Sequence, residues 1–312
     1  MIQRKNKQIP ETVSQTIDPE KAVKVEPLNI KRPLILLEND IEFWTLFLNK
    51  YPKDCTIDLI VVTDDRKTNK LKELQDKALE LKPELKIDWI LGTQMIDYCY
   101  NLLWPNGSSD LLKEFFTEYK LVYKLLFPIF FEKFDKYIEM DDDAFIVKDP
   151  GFLYDSNEYL ICYDNFNRFP SKDEEFEEFE KICQKQISLE EFNKRMINPG
   201  IMLWQKDVEF KNLIRDLFES KYFQELYDKY KSKTTYYHKM FFMELQFFNF
   251  YFKTKQKFDV MKQARMCTNP NIPKRFLKTP VFIHYAAGKE KHTLCSMFEH
   301  YSLVDGILTK GS

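Results

Sequence analysis

The sequence predicts an α/β fold: a mixed, mainly parallel sheet flanked by helices, with a helical C-terminal subregion. Three observations carry this. Short apolar runs alternate with segments of helical periodicity through the first two-fifths of the chain. Acidic residues recur at the ends of those runs, where open α/β sheets bind their ligands. Beyond Val208 the pattern turns helical and strongly aromatic.

Leu34 to Leu37 is a short apolar strand. Asp40 to Tyr51 follows, with Ile41, Trp44, Phe47 and Leu48 at the spacing of one helix face. Thr56 to Val62 is the next strand and runs into Thr63-Asp64-Asp65. Thr68 to Leu81 reads as a helix that stops before Pro83, because a proline disfavours helical backbone in the residue preceding it. Leu85 to Leu91 is a third strand closed by Gly92, and Asn106-Gly107 marks a turn. Leu111 to Phe127 has helical spacing, with Pro128 bending or ending it.

The strand Lys136 to Met140 then leads into Asp141-Asp142-Asp143 and on through Ala144-Phe145-Ile146-Val147. Tyr159 to Tyr163 is another strand, ending in Asp164-Asn165. Ser171 with Glu174, and Ser188 with Glu191, are capping-box signals. Phe176, Phe179 and Ile182 stripe the charged helix between them, which reads as a solvated surface helix or as a lid. Ile201 to Trp204 is a strand after an Asn198-Pro199-Gly200 turn. Val208 to Tyr230 and Phe241 to Phe252 are helical, and Phe282-Ile283-His284 ends a last short strand.

Composition narrows the class. Of 312 residues, 44% are hydrophobic and 31% charged, the balance of a soluble globular chain rather than a disordered one. No apolar stretch reaches transmembrane length. Residues 1–30 are polar, lack the apolar core of a signal peptide and read as a flexible arm. The six cysteines show no CxxC pair or zinc-finger spacing, so they read as free, mostly buried thiols in a reducing, cytoplasmic setting.

A net charge of −2 excludes a generic polyanion binder, yet the charge is unevenly placed. Asp135 to Glu191 carries −11 and Gln205 to Pro280 carries +8. The basic half suits a phosphate-bearing ligand. Its lysines, interleaved with tyrosines (Lys229, Lys231, Lys233, Tyr236, Tyr237, Lys239), would also suit nucleic acid, although no recognised binding motif accompanies them.

Three carboxylates at one strand end repel one another and raise each other's pKa unless a cation sits between them. A hard divalent ion with oxygen ligands is the natural neutraliser. A lone Asp-x-Asp is weak evidence, but its surroundings here are specific. Phe134-Asp135-Lys136-Tyr137-Ile138 precedes it, and Ile146-Val147 with Asp149-Pro150 follows. Downstream come Asn198-Pro199-Gly200, Gln246, and His284-Tyr285-Ala286-Ala287-Gly288-Lys289-Glu290-Lys291. In content and order this set resembles the GT-A glycosyltransferases, nearest the glycogenin-like, lipopolysaccharide galactosyltransferase-like group, glycosyltransferase family 8. The resemblance spans roughly residues 32 to 293 as architecture and is close only at these short motifs. The glycine after His284 stands one residue late, His292-Thr293 replaces the group's Pro-Trp, and Leu245 stands where the group keeps an aspartate, with Glu244 nearby.

The resemblance implies a GT-A-like, Rossmann-like domain over 31–310, with a nucleotide-binding half (31–165) and a half that closes over acceptor and metal (166–310). It implies transfer of a hexose or pentose from a nucleotide sugar, UDP-linked by expectation, to a hydroxyl, with retention favoured. Asp141, Asp143 and His284 would ligate Mn²⁺, or Mg²⁺, the imidazole favouring manganese. Lys124, Asp142, Gly288, Lys291, Asp64 and Asp65 would face the donor. Asp164, Asn198 and Gly200 would line the sugar and acceptor cleft. Gln246 would face the anomeric carbon, with Glu244 as the base if the reaction inverts.

Each of these residues also has an ordinary reading. Asp64, Asp65 and Asp164 end strands, Lys124 and Lys291 are solvated lysines, Asn198 and Gly200 form a tight turn, and His284 is a core histidine. The acceptor stays open among glycan, protein, lipid and modified nucleobase. Three other readings stay open as well: an inverting enzyme acting on a phosphate-bearing or nucleic-acid acceptor, a metal-dependent phosphoryl transferase, and a non-catalytic sugar-nucleotide binding module.

Overall fold

The computed structural model describes residues 30–38, 40–65, 70–118, 122–163, 172–194, 196–230, 236–262, 264–266 and 281–285. Along the chain these form β1 (Pro33–Leu37), α1 (Ile41–Lys50), β2 (Asp58–Thr63), α2 (Leu71–Leu81), β3 (Ile87–Leu91), α3 (Gly92–Leu103), α4 (Asp110–Glu118), α5 (Val122–Phe130), β4 (Lys136–Met140) and β5 (Ala144–Ile146). After a 3₁₀ turn at Gly151–Asp155 come β6 (Tyr159–Tyr163), α6 (Glu174–Ile182), α7 (Leu189–Asn193), β7 (Ile197–Gln205), α8 (Phe210–Glu219), α9 (Lys221–Tyr230), α10 (Tyr236–Thr254), β8 (Phe258–Val260), β9 (Ala264–Met266) and β10 (Phe282–His284).

The main sheet has seven strands in the order β3-β2-β1-β4-β7-β6-β8. β3, β2, β1 and β4 run parallel, β7 is antiparallel to both β4 and β6, and β8 joins β6 in parallel. β1 lies between two strands and is covered on both faces, which is why all five of its residues are apolar and buried. β4 has neighbours on both sides as well, but its sequence alternates. Ile138 and Met140 join the core formed with Leu34, Leu36, Trp44 and Phe47. Tyr137, Glu139 and Asp141 share the opposite face by the two-residue period of a strand. A second sheet, β5-β10-β9, stands beyond the carboxyl end of β4.

The helices start where local chemistry directs. Asp40 caps α1 by accepting from the backbone of Glu42 (2.9 Å) and Phe43 (3.3 Å). Ser188 caps α7 as expected, accepting from Glu191 N at 3.1 Å. The cap of α6 is Asp173 rather than Ser171, which lies outside the described residues. The stripe of α6 is buried: Phe176 packs on Phe192 and Phe250, so this helix is docked on α7 and α10 with its charged side outward.

Four expectations need correction. Gly92 does not close β3; it opens α3, a helix absent from the sequence reading, and a Cβ there would overlap the ring and hydroxyl of Tyr123. Pro128, expected to bend or end its helix, does not end it but sits inside α5, at the cost of the hydrogen bond to the Lys124 carbonyl. Val208 to Tyr230 divides at Ser220, whose hydroxyl accepts from Phe223 N and so starts α9. Asn198-Pro199-Gly200 is not a turn before a strand but part of β7 itself. Cys55, Cys99, Cys162 and Cys183 are free, the last three buried. No helix among the described residues is long and apolar enough to cross a membrane.

Candidate metal centre

At the carboxyl end of β4 the chain folds back at once. Ala144 N donates to Asp141 O at 3.1 Å, closing a four-residue turn over Asp142 and Asp143. β5 then pairs antiparallel with β10, and the register sets His284 opposite Ala144. Tyr285 N donates to Asp143 O at 2.9 Å, continuing that ladder past the end of β10. A distant segment is thus fixed beside the acidic turn by backbone pairing alone. His284 is 3% exposed, and its Nε2 lies 3.0 Å from Asp143 Oδ1 and 3.6 Å from Asp141 Oδ2. One ligand atom each from Asp141, Asp143 and His284 falls within 4.8 Å of the others.

β7 supplies the third wall. Its pairing with β6 slips between Ile161–Met202 and Cys162–Asn198, so that Pro199, Gly200 and Ile201 bulge out of register. The bulge accommodates Pro199, which has no N–H to give a ladder. Asn198 Oδ1 accepts from Gly200 N at 2.7 Å, closing a small loop over the proline. Gly200 O in turn accepts from Asp141 N at 2.8 Å. Gly200 is not among the positive-φ glycines, so conformation is not its reason. Proximity is. A Cβ at Gly200 would overlap the His284 ring carbon Cε1 and lie 2.7 Å from Asp141 Oδ2. The missing side chain leaves the cradle in which two carboxylates and an imidazole converge, and that donor set fits a divalent cation.

Beneath this cradle lies a buried charge cluster. Lys124, from α5, forms an ion pair with Asp141 Oδ1. Burial works against the Lys124 ammonium, but Asp141, Glu244 and Glu139 outweigh it and hold its pKa above that of an ordinary lysine. Glu139 was not legible as a site residue. It is fully buried, and neither carboxylate oxygen has a hydrogen-bond partner among the described residues. Burial lifts its pKa well above the usual range; Lys124 opposes the rise, and Asp141 and Glu244 add to it. His284 is raised too, because Asp143 and Asp141 outweigh both its burial and Lys124.

Glu244, on α10, is 2% exposed and Oε2 lacks a partner among the described residues. Burial, opposed by Lys124 and reinforced by Asp141, lifts its pKa from 4.5 to about 7. Between those values the folded chain holds a proton that the unfolded chain releases, so this contribution is intact below pH 4.5 and is lost as pH rises through 7. Glu244→Gln therefore leaves stability unchanged near pH 4.5 and raises it by about 3 kcal/mol at pH 8 relative to the parent. Urea melts across that range check it, and a difference that does not vary with pH would contradict it.

The remaining expected residues are placed as follows. Gln246 is 7% exposed, and its Oε1 has no partner among the described residues. It lies two residues from Glu244, nearly on the opposite side of α10, and three from Asn249, on the same side. Asn249 hydrogen-bonds Ile197 (3.0 and 3.1 Å), the residue next to Asn198 at the start of β7. Asp64 accepts from Tyr123 OH at 2.9 Å. Asp65 takes both the backbone N–H (2.9 Å) and the hydroxyl (2.7 Å) of Thr93 and so anchors the start of α3. Both therefore carry architectural duties. Asp142 sits half-buried in the turn. Asp164, Gly288 and Lys291 lie outside the described residues, as do Lys231 and Lys233.

No family model and no curated protein matches the sequence. Solved structures do. The chain is similar to WbbM, a bifunctional glycosyltransferase in apo form, at 14% identity over 91% of this chain and 52% of that one, with a TM-score of 0.49. It thus spans about half the length of WbbM. It is similar to mouse xyloside xylosyltransferase 1 in apo form, at 12% identity over 85% and 99% of the two chains (TM-score 0.49). It is also similar to the galactosyltransferase LgtC in complex with donor and acceptor sugar analogs, at 15% identity over 89% and 96% (TM-score 0.47). Likenesses of this strength describe a backbone and assign no chemistry.

Proposed function

We propose that this chain is a metal-dependent glycosyltransferase of the GT-A kind, moving a hexose or pentose from a nucleotide sugar, UDP-linked, to a hydroxyl acceptor with retention of configuration. One observation carries the reading: the ligand atoms of Asp141, Asp143 and His284 lie within 4.8 Å of one another at the carboxyl end of a parallel strand. Asp141, Asp143 and His284 would hold a divalent ion, Mn²⁺ in preference to Mg²⁺, whose charge would stabilise the leaving nucleoside diphosphate.

The chain's own residues divide the rest. Lys124 holds Asp141 in place and adds a permanent positive charge next to the phosphate position. Gly288 and Lys291, by resemblance, would contact the diphosphate, as would Asp142. Asn198 and Gly200 shape the sugar cleft from the β7 bulge, joined by Asp164. Gln246, buried and with no partner for its Oε1 among the described residues, is by resemblance the residue assigned to the anomeric carbon. In a retaining reaction the leaving phosphate removes the acceptor proton on the same face, so no strong protein base is required.

A second reading has a specific observation behind it. Glu244, poised at about pH 7 beside Lys124 and Asp141, has the properties of a general base for an inverting reaction. The free cysteines support a reducing, cytoplasmic setting.

A thermal-shift panel of UDP-, GDP- and CMP-sugars, each with and without Mn²⁺, tests the proposal. A UDP-sugar is expected to stabilise the protein only with metal, and the same sugar nucleotide is then slowly hydrolysed. Stabilisation without metal, or equal stabilisation by CMP-sugars that lack a diphosphate, would contradict it.

A further inference from the structure

Asparagine is a poor helix former, and Asn249 stands in a helix otherwise packed with Phe247, Phe248, Phe250, Tyr251 and Phe252, all buried. It is itself fully buried, so its amide must be satisfied from within. Its Oδ1 accepts from Ile197 N at 3.0 Å, and its Nδ2 donates to Ile197 O at 3.1 Å and Leu245 O at 2.9 Å. The two bonds to Ile197 are the pair that an adjacent strand would make. The need for them is plain from the sheet. β7 pairs with β4 only from Ile201 to Gln205, because β4 turns away at Asp141. Residue 197 lies past that end, where the side of β7 facing away from β6 has lost its strand neighbour. The Asn249 amide takes that neighbour's place.

We infer that Asn249 is a positioning residue, which clamps the β7 bulge and so sets the spacing between the Gln246 face of α10 and the metal ligands. The chain of contacts is short. Asn249 holds Ile197; the next residue, Asn198, holds Gly200 N; Gly200 abuts His284 and Asp141 and accepts from Asp141 N. Three residues before Asn249 on the same helix face is Gln246, whose Oε1 has no partner among the described residues. Without the clamp the bulge is free to relax, Gly200 no longer backs the two ligands, and cation affinity falls while α10 remains helical. This inference rests on the metal reading above.

The test uses the full-length protein and Mn²⁺ alone, with binding followed by the electron paramagnetic resonance of free Mn²⁺ and folding by circular dichroism. Asn249→Leu, close in volume but unable to hold either backbone group, is expected to bind Mn²⁺ on the order of 10-fold more weakly than the parent. Asn249→Gln, which keeps the amide, is expected to recover part of that loss. A folded Asn249→Leu protein that binds Mn²⁺ like the parent overturns the inference and leaves the metal reading standing. A parent protein that does not bind Mn²⁺ overturns both.

Should the leucine variant fail to fold, hydrogen exchange on the parent decides, because coupling between two sites is reciprocal. Saturating Mn²⁺ is expected to slow exchange of the Ile197 amide about 10-fold. An unchanged rate overturns the inference.

Discussion

Gly200→Ala is expected to lower divalent-cation affinity about 100-fold, the upper end of what changes next to metal ligands cost, although it adds a single methyl group. The added carbon has nowhere to go. His284 Cε1, Asp141 Oδ2 and Asn198 Oδ1 enclose it on three sides, the last two at 2.7 and 2.8 Å. None of the three is the far end of a flexible chain. His284 is fixed by the β10–β5 ladder, Asp141 by Lys124 and by its own backbone bond to Gly200, and Asn198 by the loop it closes. Overpacking of this kind costs about 1–3 kcal/mol in a well-packed interior. Here the displaced atoms are the ligands, so the cost appears as lost affinity as well as lost stability. Manganese titration together with thermal melts of the metal-free protein measures the two separately. A variant that is destabilised yet binds Mn²⁺ normally would show that Gly200 serves the fold and not the site.

Much of this arrangement was legible in the residues because it is local. The apolar run of β1, the apolar spacing of α1 and the acidic tip of β4 each depend on neighbours a few positions away. Glycine was harder to read, since it permits two things that look alike in sequence: an unusual backbone angle and a close approach. Gly107 uses the first, at φ 86° in the turn that Asn106-Gly107 predicts. Gly92 and Gly200 use the second, against Tyr123 and His284, and proximity to a residue far along the chain leaves no local trace. The same limit hid Glu139 and Asn249. A carboxylate inside an apolar strand and an amide inside an aromatic helix are visible anomalies, but their partners, Lys124 by charge and Ile197 by hydrogen bond, are set by packing. Ser220 carries a cap signal, but the periodicity of α8 and α9 runs on across it and hides the break.

Asp143→Asn is expected to have the largest effect of all. It preserves shape and removes one of the two anionic ligands, so Mn²⁺ affinity should fall by more than about 100-fold, beyond what outer-shell partners cause. The nucleotide-dependent thermal shift should vanish with it. The most direct measurement is pulsed electron paramagnetic resonance of Mn²⁺ bound to the parent protein, which registers nitrogen atoms coordinated to the ion. Coordination by one imidazole nitrogen in the parent, with no bound Mn²⁺ in Asp143→Asn at the same concentration, is the predicted result. Bound Mn²⁺ without a nitrogen ligand, or binding that survives Asp143→Asn, would contradict the convergence of Asp141, Asp143 and His284 on one cation.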